Sequence, residues 1–246
     1  VDAVIVASRN NLRLGASQIK LMAGGGVSSL YDQLEDVQYF EDELHAAVMA
    51  AEDAGTYVMV HVYVPEAIRR AIRAGVKSIE HGQLIDEPTM KLIAEKGVWL
   101  SMQPFIGEGN NHYTNPVQQA KHELVVQGTD RAYQLAKKYG VKLAWGTDLL
   151  FSPANARNQN LNIEKMTRWF SNFEILKMIT HDNAELLALS GRRNTYPGKL
   201  GVIEEGALAD LIVVDGNALE DIKVLTDPGK NMLLIMKDGK IYKNDL

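Results

Sequence analysis

Residues 56–82 read TYVMVHVYVPEAIRRAIRAGVKSIEHG, and this stretch decides the fold. Its first part, 57–64, is an apolar run rich in Val, which reads as a strand. Pro65 then opens the helix PEAIRRAIRA at its first turn, and Gly75 closes it. A second strand follows at 76–81 and runs into His81-Gly82. Strand, helix and strand in that order imply parallel strands joined by a right-handed crossover. Alternation along the first strand puts Val58, Val60, Val62 and Val64 on one face and Tyr57, Met59, His61 and Tyr63 on the other. The uniform Val face suits packing against helices. The other face holds all the polar groups and suits a barrel interior.

The same alternation extends outward in both directions. Upstream, residues 1–15 carry helical spacing, 17–23 form a strand that enters Gly24-Gly25-Gly26, and 41–54 form a helix acidic at its start. Downstream come a helix at 86–96, a strand at 98–103, a long polar loop, a helix at 117–139 and a strand at 141–147. Ser171 and Glu174 have capping-box spacing before the helix EILKMIT, and NAELLALS forms a further helix ending at Gly191. Up to Asp148 this amounts to five strands, fewer than a closed eight-strand barrel needs. From residue 198 the pattern changes to short strands separated by Gly and Asp turns, with no helix between them. Asp238-Gly239 gives a hairpin signal. We therefore expect an α/β domain over 1–197 and a small β-module over 198–246.

The 246-residue chain is 46% apolar, carries a formal charge of −5 and has no block of Lys or Arg. That balance argues against nucleic acid or an anionic membrane as the main partner. No apolar run approaches the length of a membrane span. With no cysteine, disulfides and thiolate metal sites are excluded. No targeting peptide is visible, and a cytoplasmic setting is favoured over a periplasmic one. We expect a homo-oligomer.

Lys20, His61, His81 and Asp148 each sit towards the end of a separate apolar run, where barrel enzymes carry their functional groups. His and Asp suit Zn²⁺, Mn²⁺ or Fe²⁺. Such an ion lowers the pKa of its water to near neutrality, and a neighbouring carboxylate can move the proton. Lys20 is a poor ligand as an ammonium and becomes useful only as a carbamate formed with CO₂. Tyr63 shares a face with His61 and is a candidate for binding a substrate carboxylate or polarised carbonyl. The opposing readings are a solvated edge lysine, hydrogen-bonded core histidines, a helix-capping Asp148 and plain packing for Tyr63.

The motifs QIKLMAGGGVSS, HVYVPEAIRRAIRAGVKSIEHG, WGTD and GKLGVIEEGALADLIVVDG resemble the amidohydrolase superfamily. The likeness is to its imidazolonepropionase-related branch, which includes metal-dependent Xaa-Pro dipeptidases and similar carboxypeptidases, and it runs from about residue 1 to 243. It implies a TIM-like (β/α)8 barrel, here about strands 4 to 8, followed by the C-terminal segment of a small β-sandwich. By that resemblance Lys20 is a carbamylated bridge between two divalent metals, zinc by preference. His61 and His81 ligate one of them. Asp148 ligates the other and carries the proton. The reaction implied is hydrolysis of an amide in a dipeptide or N-acyl amino acid. Opening of a cyclic amide such as an imidazolone is the alternative within enzymes. The His-x-His pair that usually opens such a site is absent, and the first three strands are expected to be missing with it. The alternative of another class is therefore an inactive fragment or scaffold.

The remaining histidines read as structural. His45 is placed on a helix surface, His112 and His122 in or near the polar loop, and His181 at a cap between two helices. Gly24-Gly25-Gly26 reads as a permissive loop rather than a phosphate cradle, because no Lys-Ser/Thr follows it.

Overall fold

The computed structural model describes residues 1–107, 113–149 and 153–246. His112 lies outside the described residues. The chain forms two compact units, Val1–Ala144 with Leu186–Thr195, and Trp145–Glu185 with Tyr196–Leu246.

The first unit is built from β/α repeats. Helix α1 (Asp2–Arg13) precedes β1 (Ile19–Met22), and then come α2 (Glu41–Asp53), β2 (Val58–Val62), α3 (Pro65–Arg73), β3 (Ser78–His81), α4 (Glu87–Lys96), β4 (Trp99–Met102), α5 (Pro116–Tyr139) and β5 (Leu143–Trp145). The five strands form one sheet in sequence order. Strands β1 to β4 pair in parallel, with Met22 opposite His61 and His61 opposite Glu80. This is the topology the alternation of strands and helices in the sequence predicts.

Local chemistry sets the element ends. Pro65 occupies the first turn of α3, where its missing N–H costs nothing. Asp86 caps α4 by accepting from Thr89 N–H, and Asn115 caps α5 by accepting from Val117 N–H. Gly97 and Gly140 close these two helices in the left-handed conformation, at φ 63° and 62°. The Val face of β2 is wholly buried, as are Ala67, Ile68, Ala71 and Ile72 of α3. On the other face Tyr57, Trp99, Ala144 and Leu186 form a cluster with Met59 packed against it. Each strand thus has an apolar layer on the helix side and a mixed layer on the side that carries His61.

The second unit contains α6 (Pro153–Ala156), α7 (Leu161–Lys165), α8 (Asn172–Lys177), β6 (Leu211–Val214), α10 (Pro228–Asn231), β7 (Met232–Lys237) and β8 (Lys240–Asn244), and the division between the units falls within α9 (Asn183–Ala188). Strands β6, β7 and β8 form an antiparallel sheet in that order. Asp238 and Gly239, at φ 49° and 72°, make the tight turn between β7 and β8, as the Asp-Gly signal predicts.

Two details differ from the sequence expectation. The helices EILKMIT and NAELLALS are not separated, because Met178–Asp182 winds as a π-helix that joins α8 to α9. His181 therefore lies within a continuous helical run, with Nδ1 3.1 Å from Asp182 Oδ1. The strands of the tail are also not helix-free: a 3₁₀ turn at Ile222–Leu225 and α10 lie between β6 and β7. Asp221 and Asp227 nucleate them by accepting from Lys223 and Lys230 N–H, so these aspartates act as caps. The Ser171–Glu174 capping box forms as its spacing predicts.

Candidate metal centre

His61 is the fourth residue of β2 and His81 the last of β3. Strict alternation would set them on opposite faces, because Val62, and not His61, lies opposite His81 in the register. The backbone of His81 resolves this. Its φ of 79° lies in the left-handed region, which non-glycine residues rarely occupy. That twist breaks the strand alternation and brings the two rings together, with centroids 4.4 Å apart and planes at 74°. Tyr63 completes the group: its ring stacks on His81 at 5.0 Å and meets His61 edge-on at 5.2 Å.

All three side chains are buried. Burial holds the His61 pKa below the ordinary imidazole value and that of His81 well below it. For His81 the neighbouring His61 and the Lys20 charge push the same way. For His61 the Gly25 carbonyl and Asp32 oppose burial without overcoming it. Both rings are therefore neutral near pH 7, the form that ligates metals.

Hydrogen bonds assign the tautomers. His81 Nδ1 lies 2.7 Å from Gln103 Oε1, which only accepts, so Nδ1 carries the proton and Nε2 the lone pair. His61 Nε2 lies 3.1 Å from Gly25 O, also an acceptor, which leaves the lone pair on Nδ1. Two touching neutral imidazoles, each with a lone pair, fit a borderline divalent cation. Among the described residues no group of three or more His, Cys, Asp or Glu is arranged to hold a metal. Any further ligand to this pair would have to be of another kind or lie outside that set.

Lys20 is the second residue of β1, is exposed, and stands opposite Met59, two register positions before the Met22–His61 pairing. Its ammonium charge acts on both imidazoles, disfavouring their protonation. A carbamate at Lys20 would reverse that sign and place an anion where a cation now is. Asp148 lies three residues beyond the end of β5, in the second compact unit, exposed and at φ 51°. The structure thus brings His61, His81 and Tyr63 into ring contact and links Lys20 to the histidines electrostatically.

Sequence reading missed two supporting residues. Gln103 follows the apolar run WLSM of β4, and a polar residue just after such a run is the signal that picks out His81. Lys121 on α5 is only 4% exposed, and its ammonium reaches the loop that follows β1. A lysine on an amphipathic helix reads as solvated, so no sequence signal marks it. His122, placed in or near the polar loop, lies on α5 with its ring 5.5 Å from that of Tyr113 and 6.0 Å from that of Phe105. His45 is exposed, as its helix position predicts.

The sequence profile of the Amidohydrolase family matches residues 1–242, and the chain belongs to that family. It is 34% identical over 247 aligned residues to ochratoxinase from Aspergillus niger, covering 99% of this chain and 50% of the relative. The chain therefore spans about half the length of the curated relatives it matches. A prolidase solved with N-methylphosphonate-L-proline superposes with a TM-score of 0.88 at 38% identity, covering 98% of this chain and 58% of that one. A Xaa-Pro dipeptidase solved with methionine in its active site superposes at 0.84 and 32% identity, with 98% and 58% covered.

Proposed function

We propose that the chain carries part of the site of a metal-dependent amidohydrolase acting on a small amide, by preference a dipeptide of Xaa-Pro type or an N-acyl amino acid. The observation that carries this reading is the contact between two buried, neutral imidazoles, His61 and His81, at 4.4 Å. The prolidase and Xaa-Pro dipeptidase likenesses support the substrate class. On this reading the five-stranded sheet is part of a (β/α)8 barrel and the β6–β8 sheet part of a β-sandwich.

A divalent ion held by the two histidines would supply Lewis acidity and lower the pKa of a water towards neutrality. The other tasks fall to the chain. Burial keeps both imidazoles unprotonated, so they offer lone pairs in the neutral range. Gln103 fixes the His81 ring through Nδ1, leaving Nε2 to bind. Tyr63, ring-stacked on His81, donates its phenol to the substrate carboxylate or carbonyl. Lys20, as a carbamate, would supply an anionic ligand. The proton-carrying role proposed for Asp148 rests on the family resemblance.

The test begins with the metal-stripped chain. Zn²⁺ should bind, and His61→Asn and His81→Asn should each weaken binding by tenfold or more. With isotopically labelled bicarbonate, a carbamate resonance should appear and vanish in Lys20→Met. A panel of Xaa-Pro dipeptides, N-acyl amino acids and cyclic amides then ranks the substrates. Zn²⁺ binding untouched by either histidine substitution sinks the site. Preferential opening of cyclic amides favours the imidazolone reading, and binding without turnover favours the inactive scaffold.

A further inference from the structure

The loop after β1 is built around a buried ammonium. Lys121 Nζ lies 3.1 Å from Gly26 O, 2.9 Å from Ser29 O and 3.4 Å from Asp32 Oδ1, and it also donates to Asp32 O. Burying an ammonium is costly unless oxygens replace its water. Here three backbone carbonyls and a carboxylate converge from one short loop, an arrangement that would suit a monovalent cation. The other face of the Asp32 carboxylate accepts Gly26 N–H at 2.9 Å. Gln118, also on α5, donates to Ser28 O, and Tyr113 OH lies 3.0 Å from Ser28 Oγ.

The far side of the loop touches His61. Gly25 O lies 3.1 Å from His61 Nε2. A Cβ on Gly25 would fall 1.8 Å from Gln33 O, so the chain folds back tightly there and only glycine fits. A Cβ on Gly26 would come within 3.7 Å of His61 Nε2. The glycine run is therefore a close-approach element between an ammonium on one side and an imidazole on the other.

We infer that Lys121 is a positioning residue: its ammonium is the tethered cation around which residues 25–33 fold, and through Gly25 O it holds the His61 ring in the Nε2-protonated form. A free monovalent cation should be able to take its place. The functional consequence rests on His61 serving the site proposed above, whereas the loop and tautomer effects do not.

The test uses the full chain without added metal. Lys121→Met keeps the stem and removes the charge, and Lys121→Ala opens the cage. In both, amide exchange at residues 25–33 should rise at least tenfold while β2 and β3 stay protected, and nitrogen NMR should show His61 losing its Nε2–H preference. Ammonium or methylammonium chloride should restore both signals in Lys121→Ala but not in Lys121→Met, whose side chain fills the space. In the unmutated chain, Lys121 should resist amine-reactive labelling while Lys20 reacts, a measurement that needs no variant to fold. The inference is overturned if loop exchange stays within twofold of the unmutated chain, if the loop loosens with the His61 tautomer unchanged, if ammonium fails to rescue Lys121→Ala, or if Lys121 is labelled as fast as Lys20. Failure of the unmutated chain to bind Zn²⁺ would count against the metal site alone.

Discussion

His81 is strained and buried, and both properties have measurable consequences. With His61, it is held neutral by burial, below the ordinary imidazole value of 6.5. Above pH 6.5 neither the folded nor the unfolded chain protonates these rings. Below it only the unfolded chain does, so stability falls as pH drops towards the folded-state values. The loss is at most about 1.4 kcal/mol per pH unit for each ring. Thermal unfolding between pH 7 and pH 5 with chelator present should show a shallower fall for His81→Asn than for the unmutated chain. Asn is the informative replacement because it tolerates a left-handed backbone. Parallel pH curves for the two proteins would contradict the assignment of buried neutral rings. At this scale the sequence is legible where a polar residue interrupts or ends an apolar run, as His61 and His81 do. It is silent on the φ of His81, because alternation alone predicts that the two rings face apart. It is equally silent on Lys121, whose partners are backbone carbonyls that no side-chain pattern reveals.

At the scale of elements, α5 supports the histidine strands through Gly128. A Cβ at that position would lie 2.3 Å from Gln83 O, and Gln83 follows His81 by two residues. Helix propensity alone favours Gly128→Ala by about 1 kcal/mol. Overpacking against a backbone atom costs about 1–3 kcal/mol, and backbone yields less readily than a flexible side chain. The clash should win. Gly128→Ala is expected to lower the unfolding midpoint and to disturb the His81–Gln103 hydrogen bond, visible in the His81 ring resonances. A stabilised variant with unchanged His81 signals would show that α5 sits farther from Gln83 than the structure has it. The Ser171–Glu174 spacing locates the start of α8 from sequence because that cap is a local pair of side chains. The π-helix linking α8 to α9 escapes such rules, since its extra residue per turn leaves the pattern of residue types intact.

At the scale of the whole chain, each unit is discontinuous in sequence. Within the second unit, Asn160 donates to Leu225 O at 2.9 Å, Asn172 to Leu219 O at 3.1 Å, and Lys223 pairs with Glu164 at 3.0 Å. A chain ended after Thr195 should keep exchange protection in β1–β4 and lose it over residues 161–185, where those partners are gone. Retained protection there would mean that α7–α9 stand without the tail. The sequence shows the change of character at residue 198 because composition changes there. It does not show that 145–185 belongs with the tail, because that grouping rests on pairwise contacts across long separations.

The segment 186–195 gives the first unit an order in time. Leu186 joins the Tyr57–Trp99–Ala144 cluster, Arg192 N–H donates to Gly55 O, and Arg193 donates to Ala16 O and Leu12 O. These contacts fasten the end of α1 and the approach to β1. During synthesis the pieces that secure β1 emerge from the ribosome well over a hundred residues after it. Until then β1 lacks those fastenings, and a stall in translation before residue 193 would release a sheet in which the approach to β1 is left unfastened.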